Sequence, residues 1–195
     1  MTTLTSMLTG RTVLLLLLFS LSACTSVISN TASEPVSHDP GKRSLGSVVD
    51  DETLELRAMV NINAADEQLK ASHITVASYN GYVLIVGQVP SQALKDKVSE
   101  IVKGVRDVRR IYNELEIAGN TTLLARTNDN WISTKVKANM LLDSEIQGLR
   151  VKVVTENGVV YLLGLASRSE AERIQASASS HKGVEKVVSL FEYID

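Results

Sequence analysis

One pattern occurs twice in this chain, and that repetition limits the fold more than any other feature. Tyr79-Asn80-Gly81-Tyr82-Val83-Leu84-Ile85-Val86-Gly87 matches Glu156-Asn157-Gly158-Val159-Val160-Tyr161-Leu162-Leu163-Gly164, and both glycine pairs are offset by 77 residues. Upstream, Ile74-Thr75-Val76 matches Val151-Lys152-Val153, and the stretch from Asp51 to Ile62 parallels Asp129 to Met140 after a one-residue shift. Downstream, Lys103-Gly104-Val105 matches Lys182-Gly183-Val184. Two copies are too few for a solenoid, so the pattern describes a duplicated domain of about 65 to 70 residues, near the lower limit for independent stability.

Each copy reads α-β-β-α-β. A helix is expected from Asp51 or Asp129, with the Asp as its cap and Leu54, Ala58 and Ile62, or Ile132, Val136 and Met140, at helical spacing. A strand with Ile74 and Val76, or Val151 and Val153, follows. Asn80-Gly81 and Asn157-Gly158 are hairpin turns, because both turn residues tolerate positive φ. The returning strands, Val83 to Val86 and Val160 to Leu163, are expected to stop at Gly87 and Gly164. A second helix (Ser91 to Lys103, Ser167 to His181) and a last strand complete the unit. The fold class is α+β, with helices packed on one face of a small mixed sheet.

The leader carries one charge, Arg11, and the apolar run Val13 to Leu21. That run is far short of the ~20 residues of a spanning helix and fits the apolar region of a signal peptide. It ends in Leu21-Ser22-Ala23-Cys24, which resembles a bacterial lipobox. The resemblance implies acyl and diacylglycerol groups on Cys24 as the only added groups. With Thr25 in place of Asp it also implies delivery to the outer membrane. Each buried CH₂ contributes roughly 0.8 kcal/mol, so two or three acyl chains together anchor a protein firmly. Cys24 is the chain's single cysteine, so no disulfide can form within it. The expected layout is a signal peptide (1–23), a Ser, Thr, Asn, Pro and Gly-rich tether (24–45), a first domain (46–117), a linker (118–126) and a second domain (127–195). So short a linker implies that the two domains are docked.

The Asn-Gly hairpin followed by an apolar strand and Gly, then Gly-Val-x-x-Val after the second helix, resembles the BON domain. A lipobox followed by two such units, with the helix Asn128-Asp129-Asn130-Trp131-Ile132-Ser133-Thr134-Lys135-Val136, is similar to the dual-BON outer-membrane lipoproteins. The resemblance implies a lipid-anchored protein facing the periplasm. It further implies phospholipid binding, support of outer-membrane integrity at division sites, and contact with the outer-membrane protein assembly machinery.

Reactive groups do not assemble into a catalytic site, and no metal site is expected. His38, His73 and His181 lack ligand spacing and read as surface residues, while Asp50, Asp51 and Glu52 read as helix-start charges. Twenty Lys and Arg against 22 Asp and Glu give a net charge of −2, which supplies no basic field for nucleic acid.

One asymmetry between the copies points to a surface. On a wheel of about 100° per residue, Lys135, Ala138 and Leu142 fall within about 40° of Trp131, away from the stripe of Ile132, Val136 and Met140. The first copy has Thr53, Arg57 and Ala64 at the equivalent places. A Trp and a Leu beside Lys135 and Lys137 suit an anionic phospholipid surface, and packing of Trp131 against the first domain is the alternative. Two other functions are compatible with the chain: a membrane-perturbing, haemolysin-like factor and a periplasmic protein-interaction scaffold.

Overall fold

The computed structural model describes residues 44–195; the leader, the lipobox with Cys24, His38 and the tether as far as residue 43 lie outside the described residues. The first copy consists of α1 (Leu45–Ala65), α2 (Glu67–Ala71), β1 (His73–Tyr79), β2 (Tyr82–Val89), α3 (Gln92–Lys103), β3 (Arg110–Asn113) and β4 (Glu116–Ile117). The second consists of α4 (Leu123–Leu142), a 3₁₀ turn (Gly148–Arg150), β5 (Val151–Glu156), β6 (Val159–Ala166), α5 (Arg168–Ser179) and β7 (Lys186–Tyr193). In each sheet the middle strand, β2 or β6, pairs antiparallel with the strand before it and parallel with the strand after α3 or α5. The α+β class and the repeated unit are those expected from the sequence.

The first helix of each copy begins earlier than expected. Ser44 and Thr122 are the N-caps, each side-chain oxygen accepting an N–H three residues on, and α4 therefore starts inside the stretch read as linker. Asp51 and Asp129 are not caps. They are buried in mid-helix, where Asp51 accepts the N–H groups of Asn80 and Gly81 at 2.7 and 3.0 Å and Asp129 accepts those of Asn157 and Gly158 at 2.9 Å each. The turn residues have φ of 53° and 73° in the first copy and 49° and 74° in the second, as an Asn-Gly hairpin requires. Each helix thus ties down the hairpin of its own sheet through one carboxylate.

Two further differences have local causes. Gly87 and Gly164 lie inside their strands and do not end them. A Cβ on Gly87 would stand 2.0 Å from the carbonyl oxygen of His73, and one on Gly164 would stand 2.6 Å from that of Arg150, so glycine lets the neighbouring backbone approach. The last strand of the first copy is split into β3 and β4, whereas β7 is continuous. At the break the Asn113 side chain donates to the Lys95 carbonyl and the Ser99 hydroxyl and accepts the Leu115 N–H, which turns the backbone away from the ladder.

Residues alternate cleanly between the two faces of each sheet. Val83, Ile85 and Val89 face the helices of the first copy, with Leu54, Ala58, Ile62, Val98 and Val102. Leu84 and Val86 face the other way. There they join Ala77 and Tyr79 and meet Tyr161, Leu163 and Leu190 of the second copy in a shared core. The two sheets therefore pack face to face, with a helix layer outside each. Both central strands are buried on both sides, which explains their uninterrupted apolar runs.

Polar pairs at the rim of this seam repeat with the domains. The Asn80 side-chain amide donates to Glu192 at 2.6 Å, and that of Asn157 donates to Glu116 at 2.9 Å. Glu116 and Glu192 are equivalent in register, lying beside Gln88 and Leu165. Inside the seam the Gln88 amide donates to the buried Glu156 carboxylate at 2.7 Å. His73 Nε2 lies 3.4 Å from the same carboxylate, so this histidine belongs to the seam and not to the open surface.

Candidate functional site

The core face of α4 comprises Asp129, Ile132, Val136 and Met140. The opposite face has no partner among the described residues for most of its apolar side chains. Trp131 is 56% exposed and Leu142 84%, with Leu123, Leu124 and Leu141 also exposed. Lys135 sits one turn beyond Trp131 with its ammonium 4.7 Å from the ring centroid, so the cation covers the indole without burying it. Ala138 completes the stripe and is exposed. The structure brings Trp131, Lys135, Ala138 and Leu142 together on one helical face. That face lies outside the seam, whose core is built from strand residues.

Lys137 leaves this group. It stands on the flank of α4, partly buried, and its ammonium donates to the carbonyl oxygens of Gly148, at 2.7 Å, and of Val151. These carbonyls bracket the 3₁₀ turn that leads into β5, so Lys137 fixes the return of the chain from α4 to the sheet. A 100° step along the helix separates its direction from that of Ala138, which a count of nearby cations overlooks.

Beside α4 runs an open groove of about 620 Å³. Its lining includes Ala138 and Leu141 of α4, Leu149, Tyr79 of β1, Lys152 of β5 and Glu52 of α1. Lys152 bridges the domains by donating to the Glu55 carboxylate, with Glu52 3.7 Å away. The groove is thus mainly apolar and is crossed by an ion pair.

At the places in the first copy equivalent to Trp131, Lys135 and Leu142, Thr53, Arg57 and Ala64 offer little apolar surface. Equivalence between the copies does not reveal Leu45, Val49, Leu56 and Val60, which are all exposed on α1. Their spacing of four, seven and four residues was the available signal.

Among the described residues no cluster of His, Cys, Asp and Glu could hold a metal ion. No described helix is long and apolar enough to cross a membrane. His181 Nδ1 lies 2.9 Å from the Ser177 carbonyl oxygen at the end of α5, and the sheets do not bring it near His73.

Comparison with known proteins identifies the repeated unit. The BON domain family model matches residues 50–119 and again residues 128–195. The chain is 37% identical over 178 residues to outer membrane lipoprotein DolP of Haemophilus influenzae, covering 90% of this chain and 91% of that protein. It is also 37% identical over 153 residues to a 21 kDa hemolysin of Actinobacillus pleuropneumoniae, covering 78% of each. To osmotically-inducible protein Y of Escherichia coli it is 25% identical over 194 residues, covering 95% of this chain and 96% of that protein. With both copies matched and their α-β-β-α-β order observed, the chain belongs to the BON domain family and carries two BON domains in tandem.

Proposed function

We propose that this protein is a non-enzymatic outer-membrane lipoprotein, anchored through acyl groups on Cys24 and facing the periplasm, whose second BON domain binds anionic phospholipid. In this reading Trp131, Ala138 and Leu142 enter the headgroup region and Lys135 meets phosphate, while Lys137 supports the loop behind them. The observation that carries it is the exposed Trp131 and Leu142 stripe beside a cation, on the helix face opposite the core. The similarity to an outer membrane lipoprotein supports the location. Binding of this kind would let the protein sense envelope lipid and support outer-membrane integrity during division, in contact with the assembly machinery for outer-membrane proteins.

A second reading is favoured by the likeness to a protein described as a hemolysin: the same stripe could disturb a foreign bilayer. Flotation of residues 25–195, the mature chain without its lipid-bearing Cys24, with phosphatidylcholine vesicles and with vesicles containing phosphatidylglycerol tests the first reading. Flotation only with the anionic vesicles, lost in Trp131→Glu at unchanged melting temperature, is the expected result. Release of trapped dye from vesicles or red cells by the same chain would favour the second.

A further inference from the structure

β5 is an outer strand of the second sheet, paired on one side only, with β6. Its register fixes which backbone groups look outward. Glu156 and Val159 flank the two-residue turn and exchange hydrogen bonds, as do Val154 with Tyr161 and Lys152 with Leu163, so the N–H and C=O groups of Val151, Val153 and Thr155 point away from the ladder. At Val151 both groups are engaged: the N–H donates to the Gly148 carbonyl, and the carbonyl accepts the Lys137 ammonium. Those of Val153 and Thr155 have no partner among the described residues.

Two cavities meet over this edge. The groove of about 620 Å³ lies along Val151, Lys152 and Val153, and a cleft of about 300 Å³ lies along Val153, Thr155 and Glu156; Ser133 of α4 and Val153 line both. Together they follow the six residues of β5, a length of about 20 Å at ~3.3 Å per residue. One wall is α4, held to the strand by the bond from the Ser133 hydroxyl to that of Thr155. The other is β1, with Tyr79 at one end and His73 and Thr75 at the other.

We infer that this trough receives an extended, uncharged peptide segment of a partner protein, which adds to β5 as a further strand of the second sheet. An extended segment presents its own N–H and C=O groups at the two-residue spacing of Val153 and Thr155. An acyl chain would leave those four groups unpaired, and an α-helix, about 10 Å across, has its main-chain groups already engaged. Charge selects the same occupant. Lys152 is neutralised by Glu55, Lys137 is held by two carbonyls, Arg126 donates to the Thr121 carbonyl, and Glu156 accepts the Gln88 amide beside His73. A neutral segment meets these pairs without breaking any of them. Leu141, on the α4 wall, lies about 80° around the helix from Trp131, so the trough and the exposed stripe are separate surfaces and the inference does not rest on the lipid reading.

The test uses residues 25–195, labelled with ¹⁵N, and an end-blocked hexapeptide of alternating valine and threonine. Saturating peptide should shift the backbone amide resonances of Val153 and Thr155 and slow their hydrogen exchange at least about ten-fold. The same peptide N-methylated at every residue keeps its side chains but has no N–H to donate, and it should not bind. Val153→Pro removes one outward donor without touching the β6 ladder, and Leu141→Arg puts a charge into the trough; each should weaken binding about ten-fold. If Val153→Pro lowers the melting temperature, Leu141→Arg and the N-methylated peptide carry the test. Absence of binding at about 1 mM peptide, equal binding of the N-methylated peptide, or shifts that leave β5 untouched would overturn the inference. Protection of Val153 and Thr155 in a dimer of the free protein would give the edge to a second copy, and displacement of the peptide by phosphatidylglycerol vesicles with shifts at the same two amides would give it to an acyl chain; either would overturn it.

Discussion

Asp129 holds Gly158 in place: one carboxylate oxygen accepts the glycine N–H at 2.9 Å while the other accepts that of Asn157 at the same distance. Asp51 does the same for Asn80 and Gly81 and also accepts the Ser78 hydroxyl at 2.7 Å. Both carboxylates are buried, so removing either strands two turn N–H groups away from water. Asp51→Ala and Asp129→Ala should each destabilise the protein by about 2 kcal/mol or more, with Asp51→Ala the worse because Ser78 also loses its partner. Asp→Asn, which keeps one acceptor oxygen, should cost less in each case. Urea unfolding of the four variants checks the order.

The hairpin glycines are equivalent in conformation but not in surroundings. Gly81 and Gly158 have nearly the same positive φ, yet a Cβ on Gly81 would come within 2.5 Å of the Asp107 carbonyl oxygen, whereas one on Gly158 would press only on the flexible Glu185 side chain, at 3.0 Å, with the nearest backbone atom, the Gly183 carbonyl oxygen, at an ordinary contact distance of 3.4 Å. Gly158→Ala should therefore cost about 1 kcal/mol of backbone strain, and Gly81→Ala should cost more because backbone must move. Thermal unfolding of the two variants side by side reads the difference.

Much of the fold was legible because each copy corroborated the other. The Asn-Gly turns, the α-β-β-α-β order and the core stripes Leu54, Ala58, Ile62 and Ile132, Val136, Met140 all follow from local periodicity and turn chemistry. What local pattern could not give was the use of a residue by another element. Asp51 and Asp129 look like caps because Asp is a good cap, and only the folded sheet shows that their acceptors serve a hairpin nearly 30 residues away. Helical and strand periodicity account for one sheet face, covered by helices; the unbroken apolar runs Val83 to Val86 and Val160 to Leu163 are the sign that the second face is also buried. At the candidate site the wheel placed Trp131, Lys135, Ala138 and Leu142 correctly on one face. Lys137 joins that group only by charge and proximity in sequence, and its bonds to backbone carbonyls depend on a loop whose path the sequence does not reveal.

The seam between the domains should respond to pH at both extremes. Arg109 donates to both oxygens of Glu192, at 2.7 and 2.8 Å, and together with the Asn80 amide it holds the Glu192 carboxyl below its ordinary value. A depressed carboxylate stabilises the native state above its unfolded value near 4.5, and that contribution is lost as pH falls through the lower folded value. Both groups are partly solvated, so the pair contributes about 1 kcal/mol after screening. At the other extreme, burial in the seam, with Glu114, Glu116 and Glu156 nearby, pushes the Tyr161 phenol up from 10.0 to about 12. The neutral phenol is the native form, so its contribution is complete below pH 10 and is lost as pH rises toward 12. Glu192→Gln should flatten the acid limb of a melting-temperature profile and Tyr161→Phe the alkaline limb, each leaving the other limb in place.

The two lysines of α4 separate surface chemistry from structure. Lys135 stands exposed over the Trp131 ring, on the face proposed to meet phosphate, and its removal disturbs no buried group. Lys137 donates to the Gly148 and Val151 carbonyls at the start of β5, so its removal leaves acceptors without a charged donor in a partly buried site. Lys135→Gln should therefore weaken binding to phosphatidylglycerol-containing vesicles several-fold, reduce the sensitivity of that binding to salt, and leave the melting temperature unchanged. Lys137→Ala should lower stability by about 1 to 3 kcal/mol while the binding of the still-folded protein keeps its salt dependence. If Lys137→Ala instead reduced salt-sensitive vesicle binding without any loss of stability, its ammonium would have to leave the two carbonyls and join the α4 face when lipid is present. Equal salt dependence in Lys135→Gln and the parent would remove phosphate contact from the role of Lys135 and leave the apolar stripe as the source of affinity.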